Sequence, residues 1–324
     1  MLARRRGFYS DGKEIIRTPL LLPSFSSKGF PQIQNILQTT QEVIEGEILV
    51  SAYDLHHAKL SGPFDFAKAI FLDSGGYEAG KDVELSDTRT KEHVPAPWTM
   101  ANYAAVVASW NPNRPTVVVS YDHPNERIST SEQIVRADAT IPCRWNLYRE
   151  ILFKPEADGK EDTNIDAIVA NVHKLAAFDA IGVTEKEIGA TQQARMQSIA
   201  RIRRALNSVG LGNKPIHVFG SLDTISTPLY FVAGADIFDG LTWLRYAFHE
   251  GLTIYQQNFA ALRFGTQIKS SLVDARCCFE NYYYMKKMQL EMRTFLASHS
   301  VDSFSYHKDL IQGAYRAAVE ETET

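Results

Sequence analysis

The sequence has few cysteines, no long apolar run and no excess of basic residues, and each of these deficits excludes a class of protein. Three cysteines in 324 residues, two of them adjacent (Cys277 and Cys278), cannot build a disulfide framework, so we expect a reducing compartment. No apolar segment approaches the ~20 residues of a membrane-spanning helix. The basic start, Met1 to Arg6, is not followed by the apolar region of a secretory signal. We therefore expect a cytoplasmic protein that does not bind membranes.

The overall charge is also low, because the formal net charge is −4. The chain as a whole is therefore not a basic nucleic-acid binder, and any contact with a nucleic acid must come from a local basic surface. With 44% hydrophobic and 22% charged residues, the composition is that of a soluble enzyme with a sizeable core. No repeat or low-complexity tract interrupts it.

Short apolar runs recur along the chain, and they are continuous rather than alternating. Strands with that pattern are buried on both faces, as in a parallel sheet. Eight such strands, mostly separated by helical patterns, predict an α/β fold, a (β/α)8 TIM barrel. The predicted strands cover residues 18–22, 47–51, 69–73, 116–122, 166–171, 178–183, 215–220 and 235–239.

Helical segments with recognisable starting signals lie between the predicted strands. Ser129 and Glu132 form a capping-box pattern at the start of one helix. Residues 192–206 place apolar side chains on one face, as an amphipathic helix does. The link between the fifth and sixth predicted strands is too short for a full helix, so we expect one abbreviated barrel unit.

Two further helices are predicted after the last strand, over residues 274–298 and 306–320. They have no strands between them and do not continue the alternation of strand and helix. We therefore divide the chain into a barrel, residues 1–270, and a small C-terminal helical appendage, residues 271–324.

Acidic residues follow several predicted strands at the end where a barrel of this kind carries its active site. These residues are Asp73, Asp122 and Asp239. Each one alone would be explained by a strand-end cap or a salt bridge, but three at one predicted barrel mouth favour a site. Paired acids suit chemistry at an anomeric carbon, where one attacks as nucleophile and the other moves protons at the leaving group. The third can accept hydrogen bonds from the N–H edge of a heterocycle.

Two segments of the chain resemble the motifs of tRNA-guanine transglycosylases (the queuine and archaeosine tRNA-ribosyltransferases). Asp73-Ser74-Gly75-Gly76-Tyr77-Glu78 resembles D-S-G-G-[FY]-Q, and residues 234–240, followed by Arg245, resemble G-[IV]-D-[ML]-F-D-C with a later arginine. Tyr121-Asp122-His123 and His217-Val218-Phe219-Gly220 are similar to two further segments of that family. Enzymes of this family exchange a guanine in a polynucleotide for a free 7-deazaguanine. The resemblance extends over about residues 18–251.

The resemblance implies a role for each matched residue. Asp239 would be the nucleophile and Asp73 the general acid/base. Asp122 would bind the guanine edge, Tyr77 and Phe219 would enclose the base, and the remaining residues would contact the base or the polynucleotide. The complete set of substrate-binding residues so implied is Ser74, Gly75, Tyr77, Asp122, Asn171, Gly182, Phe219, Gly220 and Arg245.

The chain also departs from the family's pattern. Glu78 replaces a glutamine, Gly240 a cysteine, and Phe248 the second arginine of the T-R-x-x-R-N-G segment. The family's zinc signature, C-x-C-x-x-C with a later histidine, is absent, because the adjacent Cys277 and Cys278 cannot reproduce that spacing. We therefore expect no zinc and no other cofactor, and leave open whether these cysteines and a histidine bind any metal.

The departures affect the residues that would hold nucleotides beside the target. We expect Phe248 to stack on a flanking base. The run of residues 282–287, three tyrosines, a methionine and two lysines, is equally well explained by a nucleic-acid contact or by a core-packed helix face.

The sequence therefore predicts a glycosyltransferase, a guanine transglycosylase whose polynucleotide substrate is tRNA or DNA and whose second substrate is a free 7-deazaguanine or guanine. Both polynucleotides stay open, as does a homodimer. Two alternatives are a non-catalytic nucleic-acid-binding partner subunit and a glycosidase acting on a small nucleoside. Retention of both Asp73 and Asp239 argues against the first alternative.

Overall fold

The computed structural model describes residues 2–80, 93–111, 113–157 and 161–320 of the chain. Its centre is a closed barrel of eight parallel strands surrounded by helices, which confirms the predicted (β/α)8 fold. The barrel strands neighbour one another in chain order, and the last pairs with the first through Phe238 opposite Leu21. None of the helices in the described part of the chain is long and apolar enough to cross a membrane.

Eight of the twelve strands in the described ranges, β3 to β10, form the barrel. The strands are β1 (Gly7–Ser10), β2 (Lys13–Arg17), β3 (Leu20–Phe25), β4 (Ile48–Ser51), β5 (Ile70–Asp73), β6 (Thr116–Val119), β7 (Leu147–Phe153), β8 (Ala180–Thr184), β9 (Ile216–Phe219), β10 (Ile237–Gly240), β11 (Tyr246–His249) and β12 (Leu252–Tyr255).

The helices follow the barrel strands and cover them from outside. They are α1 (Ile33–Thr40), α2 (Ala52–His56), α3 (Gly76–Ala79), α4 (Met100–Ser109), α5 (Thr130–Thr140), α6 (Ile165–Ala170), α7 (Gln192–Ser208), α8 (Ser226–Val232), α9 (Thr242–Arg245), α10 (Gln256–Phe264), α11 (Ser270–Ser298) and α12 (Lys308–Glu320). The predicted capping box is present at α5, and the predicted amphipathic helix is α7.

The barrel strands are buried on both faces, as their continuous apolar runs predicted. Every residue of β3 to β10 is buried except Thr184, which is half-buried. The antiparallel pair β1–β2 supplies Phe8, which packs edge-on against Phe71 and Tyr148 at centroid distances of 6.0 and 5.5 Å. The interior of the barrel is therefore a packed core, and a site has to lie at its mouth.

The fifth barrel strand is not where the sequence predicted it. The prediction of a strand at residues 166–171 is wrong, because most of this segment belongs to α6. Asn164 caps the start of this helix, since its side chain accepts a hydrogen bond from Ala167 N at 3.0 Å. The fifth strand is β7, in which Arg149 and Glu150 interrupt the apolar run. Because α6 and a 3-10 turn at Val172–Ala177 connect β7 to β8, the predicted abbreviated unit does not exist.

The first acid of the segment 234–240, Asp236, has structural partners. Its carboxylate lies 3.0 Å from Arg6 Nη1 and 2.6 Å from Arg203 Nη2, and all three side chains are at most 2% exposed. The Ile216 amide donates to the same carboxylate at 2.9 Å. Asp236 therefore joins the start of the chain to α7 and to the β9–β10 pair.

The long helix α11 packs on the outside of the first barrel strand. Gln289 Nε2 donates to Pro19 O at 2.8 Å, and the hydroxyl of Tyr282 accepts from Glu45 N at 2.8 Å. Met285 is fully buried and belongs to the same apolar cluster as the outer faces of the barrel strands. The helix predicted to begin an appendage therefore contributes to the core around the barrel.

Candidate active site

Three carboxylates lie at one end of the barrel. Asp73 is the last residue of β5, Asp239 lies in the final strand β10, and Asp122 follows β6 by three residues. Because the barrel strands are parallel, their carboxyl ends form one mouth, and all three acids lie there. Each is only 6 to 9% exposed.

Asp73 is the acid whose electrostatic environment is most unusual. Burial raises the pKa of Asp73 well above its usual range, and the nearby negative charge of Glu78 raises it further. The charges of Asp122 and Asp239 add to this effect. A raised pKa favours the protonated carboxyl, which is the form in which Asp73 can donate a proton.

The turn after β5 brings Asp122 against the strand end. A Cβ on Gly76 would overlap the Asp122 carboxylate, and one on Gly75 would lie 2.6 Å from Tyr53 Cβ. Gly75 also has a φ of +87°, in the left-handed region that favours glycine. The hydroxyl of Ser74 donates to Asp122 Oδ1 and accepts from Gly76 N at 3.3 Å. Close packing against Asp122 therefore requires glycine at position 76, and the contact with Tyr53 and the left-handed backbone require it at position 75.

Asp239 accepts hydrogen bonds on both carboxylate oxygens. Ser24 Oγ donates to Oδ2 at 2.8 Å, and Gly220 N donates to Oδ1 at 3.0 Å. Since Ser24 Oγ also accepts from Gly240 N at 3.1 Å, its own proton is directed to Asp239. Sequence reasoning missed Ser24 because the first predicted strand ended at residue 22. The signal was available, since Leu20 and Leu22 belong to the interior cluster and Ser24 continues their alternation.

A buried histidine lies beneath Asp239, and it was also missed. His217 Nε2 is 3.4 Å from Asp239 Oδ1, and Nδ1 is 2.9 Å from Glu150 Oε1. Burial alone lowers the pKa of His217, but the charge of Glu150, the close contact with Asp239 and the hydrogen bond of Nδ1 to Glu150 outweigh it and raise this pKa to about 9. The 3.4 Å contact of Nε2 with Asp239 is an ion-pair contact, because its geometry is not that of a hydrogen bond. Phe219 stacks on the imidazole with 3.8 Å between ring centroids.

A lysine accompanies Asp122 at the mouth. Lys154, the residue after β7, places Nζ 3.9 Å from Asp122 Oδ2 and 2.8 Å from Glu187 Oε1. It also donates to Thr184 Oγ1, at the end of β8, at 3.0 Å. The mouth therefore combines an acceptor and a cationic donor side by side, a feature that sequence reasoning missed together with β7.

Tyr77 and Arg245 lie together on the rim of the mouth. Arg245 Nη2 donates to the Tyr77 hydroxyl at 2.9 Å, and Lys28 Nζ lies 4.2 Å from the Tyr77 ring centroid. Tyr77 is 36% exposed, whereas Phe219 is 8% exposed. A cavity of about 620 Å³, lined by Arg245, Phe30 and Tyr255 among others, begins beside this rim.

Two predicted residues do not lie where the strand pattern placed them. The prediction that Asn171 ends a barrel strand is wrong: it ends α6, where its side chain donates to Ala167 O at 2.9 Å and accepts from Ser131 Oγ at 3.3 Å. Gly182 lies in the middle of β8, below the strand end. A Cβ there would lie 2.8 Å from Phe219 Cε2, so this glycine makes room inside the barrel.

The residues proposed to hold flanking nucleotides are largely buried. Phe248 is 3% exposed and packs edge-on against Tyr284, so the prediction that it stacks on a flanking base is wrong. Within 282–287, Tyr282 and Met285 are buried in the core while Tyr283 is 61% exposed. This pattern favours the core-packed interpretation of that helix.

Two further carboxyls lie behind the mouth. Glu78 is 2% exposed and accepts from the hydroxyls of Ser26 and Ser51, the latter at 2.8 Å. Burial, then the charge of Asp54, raises the pKa of Glu78 to about 7. Burial likewise raises the pKa of Asp54 to about 6, although the Ser27 hydroxyl and amide oppose it.

The cysteines nearest to the absent zinc signature are Cys277 and Cys278 of α11. Within the described ranges, no group of three or more histidine, cysteine or acidic side chains is placed to hold a metal. Cys277 and Cys278 follow each other in α11, so their side chains point in directions about 100° apart. Burial raises the pKa of both thiols to about 12, which disfavours the thiolate that a metal needs.

Comparison with known proteins does not identify a family: the sequence matches no protein-family model and no curated protein. The fold and the site together define the class as a (β/α)8-barrel protein with three nearly buried carboxylates at the carboxyl ends of its strands. Enzymes with this fold carry their catalytic residues at that end.

Proposed function

We propose that this protein is a guanine transglycosylase, which exchanges a guanine in a polynucleotide for a free 7-deazaguanine through a covalent bond between Asp239 and the sugar. The observation that carries the proposal is the contrast between two acids at one mouth. Asp73 has a strongly raised pKa, whereas Asp239 is surrounded by hydrogen-bond donors. Environments that differ in this way suit one carboxyl for proton transfer and the other for attack.

The reaction has two steps. Asp239 attacks the anomeric carbon, the glycosidic bond breaks, and the departing guanine nitrogen takes the proton of Asp73. In the second step, Asp73 removes the N–H proton of the incoming base, whose nitrogen attacks the same carbon. The ester bond then breaks and the electron pair returns to Asp239. Both carboxyls end in the states in which they began, and no redox partner takes part.

The pair of Asp122 and Lys154 suits a guanine edge. A carboxylate accepts from the N–H groups at positions 1 and 2 of guanine, while an ammonium donates to the oxygen at position 6. Adenine has the opposite pattern at positions 1 and 6. The 3.9 Å between Lys154 Nζ and Asp122 Oδ2 places both groups within reach of one ring. Lys154 thus takes the role that sequence reasoning gave to Asn171.

The rim supports a polynucleotide as the carrier of the target base. The half-buried Arg245 donates to the exposed Tyr77 at the entrance, and the neighbouring cavity continues from Arg245, whereas Lys28 beneath the Tyr77 ring is 4% exposed and donates to the carbonyls of Tyr77 and Gly80. A stacked nucleotide cannot reach acids that are only 6 to 9% exposed, so the target must be flipped out of its stack. Because the net charge is −4, binding depends on local cations such as Arg245 and should weaken with salt. Arg245 and the cavity beside it favour a polynucleotide over a small nucleoside.

The decisive experiment measures incorporation of labelled guanine into an anticodon stem-loop, single-stranded DNA and duplex DNA at matched salt. Exchange into one of them is expected, together with a wild-type band that migrates more slowly in a denaturing gel. Asp239→Asn should lose the band and reduce exchange on the order of 10⁴-fold, because an amide cannot form the ester.

Asp73→Asn should also lose exchange while still binding the polynucleotide, and the exposed Asp309→Asn serves as the matched control. A shifted band that persists in Asp239→Asn would refute the assignment of the nucleophile. A wild-type protein without exchange into any of the three substrates would refute the proposed function.

A further inference from the structure

A line of three buried ionisable groups runs from the barrel interior to the mouth. Glu150, in β7, contacts His217 Nδ1 at 2.9 Å, and His217 Nε2 lies 3.4 Å from Asp239 Oδ1. His217 and Glu150 are fully buried, and Asp239 is 6% exposed. Nδ1 is hydrogen-bonded to Glu150, and Nε2 lies within ion-pair distance of Asp239 without a hydrogen bond, so the doubly protonated imidazole places its charge next to both carboxylates.

The barrel is built to permit this contact. Glu150 and His217 belong to strands that flank β8, and Gly182 of β8 lies between them. A Cβ at position 182 would lie 2.9 Å from Glu150 Oε1, so glycine lets the carboxylate reach across the strand. A glycine within a strand is unfavourable in itself, which indicates a packing requirement at this position.

The surroundings of the imidazole are otherwise apolar. Phe219 stacks on the ring from β9, with 25° between the planes, and Phe71 packs edge-on from β5 at 5.8 Å. The ionisable groups that contact the ring within the described ranges are therefore Glu150 from β7 and Asp239 from β10. The ring is held in one orientation, with no contact to solvent.

We propose that His217 is a positioning residue: held as an imidazolium by Glu150, it stabilises the free carboxylate of Asp239 and so accelerates the breakdown of the sugar ester. The proposal rests on the proposed function. The sugar ester of Asp239 carries no net charge, whereas the departing carboxylate carries a full negative charge. A fixed cation therefore stabilises the free carboxylate more than the ester.

Glu150 completes the arrangement. While Asp239 is esterified, Glu150 still neutralises the imidazolium, so the interior does not carry an unpaired buried cation. When the ester bond to the anomeric carbon breaks, its electron pair returns to Asp239, and the new bond forms to the base nitrogen whose proton passes to Asp73. His217 keeps its protons throughout and acts only through Asp239.

The test compares formation and breakdown of the adduct in the wild type, in His217→Gln and in the double variant Glu150→Gln/His217→Gln. The double variant removes both charges together, so it does not carry the lone buried carboxylate that destabilises the single variant. The exposed His173→Gln is the matched control. The adduct is formed with labelled polynucleotide, and its decay is followed after excess free guanine is added.

Adduct decay is expected to slow on the order of 10-fold or more in the variants, and the steady-state adduct should accumulate, while formation changes less. Formation and decay that fall together, or that both stay unchanged, would overturn the inference and leave a structural role. Nitrogen-15 NMR of the folded wild type, compared with the double variant to assign the His217 signal, adds a readout without substrate. A neutral His217 at pH 7 would also overturn it.

These outcomes are distinguishable from failure of the proposed function. A wild-type protein that forms no adduct with any polynucleotide removes both proposals, since there is then no ester to break. A wild-type adduct whose decay equals that of the double variant removes only the inference about His217.

Discussion

Replacing Glu78 with glutamine tests whether this buried carboxyl is protonated in the folded protein. Burial and the neighbouring charge of Asp54 raise the pKa of Glu78 from an ordinary 4.5 to about 7. Because the folded-state pKa is above the unfolded one, the stability that this proton provides is complete below pH 4.5 and is lost as the pH rises through 7. Linkage makes this loss roughly 2 to 3 kcal/mol between pH 5 and pH 8.

Glutamine cannot ionise, so the variant should escape that loss. Glu78→Gln is expected to gain about 2 to 3 kcal/mol over the wild type on going from pH 5 to pH 8. An unfolding entropy of about 2.1 cal/mol/K per residue over 324 residues converts this gain into about 3 to 4 °C in the unfolding midpoint. Thermal unfolding of both proteins at the two pH values measures it.

The exposed Glu42→Gln is the matched control and should follow the wild type at both pH values. A difference between Glu78→Gln and wild type that stays constant from pH 5 to pH 8 would refute the reasoning. The variant also bears on the mouth, since the charge of Glu78 helps to raise the pKa of Asp73. Without that charge, the high-pH limb of the exchange rate should move to lower pH.

Three other substitutions separate packing from chemistry. Asp236→Asn leaves two buried guanidinium groups without a counter-charge and should lower the free energy of unfolding by about 3–5 kcal/mol, which is a fall of roughly 4–7 °C in the thermal unfolding midpoint. The folded fraction of this variant should still exchange base. An unchanged unfolding midpoint would contradict the prediction. Gly182→Ala places a Cβ 2.8 Å from the Phe219 ring, so it should lower the free energy of unfolding by about 1–3 kcal/mol and slow base exchange. An unchanged unfolding midpoint would show that the barrel accommodates the methyl group. Lys154→Met should raise the KM for the incoming base roughly 10- to 100-fold, and the exposed Lys174→Met should not; equal KM values would remove Lys154 from base recognition.

The sequence was most informative where strands are continuously apolar. Three consecutive valines mark β6, and its prediction is confirmed because no polar side chain interrupts the run. In β7, Arg149 turns outward to Asp138 at 2.8 Å and Glu150 turns inward to His217, so the run is broken in the middle. The apolar residues of 166–171 instead form a short helix, and a run of that length does not distinguish the two structures.

The mouth was predictable in part for the same reason. Asp73 and Asp239 close apolar strands, and this position alone assigns them to the carboxyl end of a parallel barrel. His217 lies inside a strand, and its two partners are 67 and 22 residues away in the chain. No local pattern predicts such a contact, because it depends on which strands neighbour each other and on the missing side chain at Gly182.

The position of α11 has a consequence for how the chain folds during synthesis. The strand β3 is made early, yet the helix that covers it is made late, and the bond from Gln289 to Pro19 spans 270 residues. Until that helix is available, the outer face of β3 and the pairing of β10 with β3 lack their apolar cover. A ribosome-bound chain ending at residue 270 should therefore remain sensitive to protease, and a chain extended past residue 298 should become resistant, since contacts between distant segments form last.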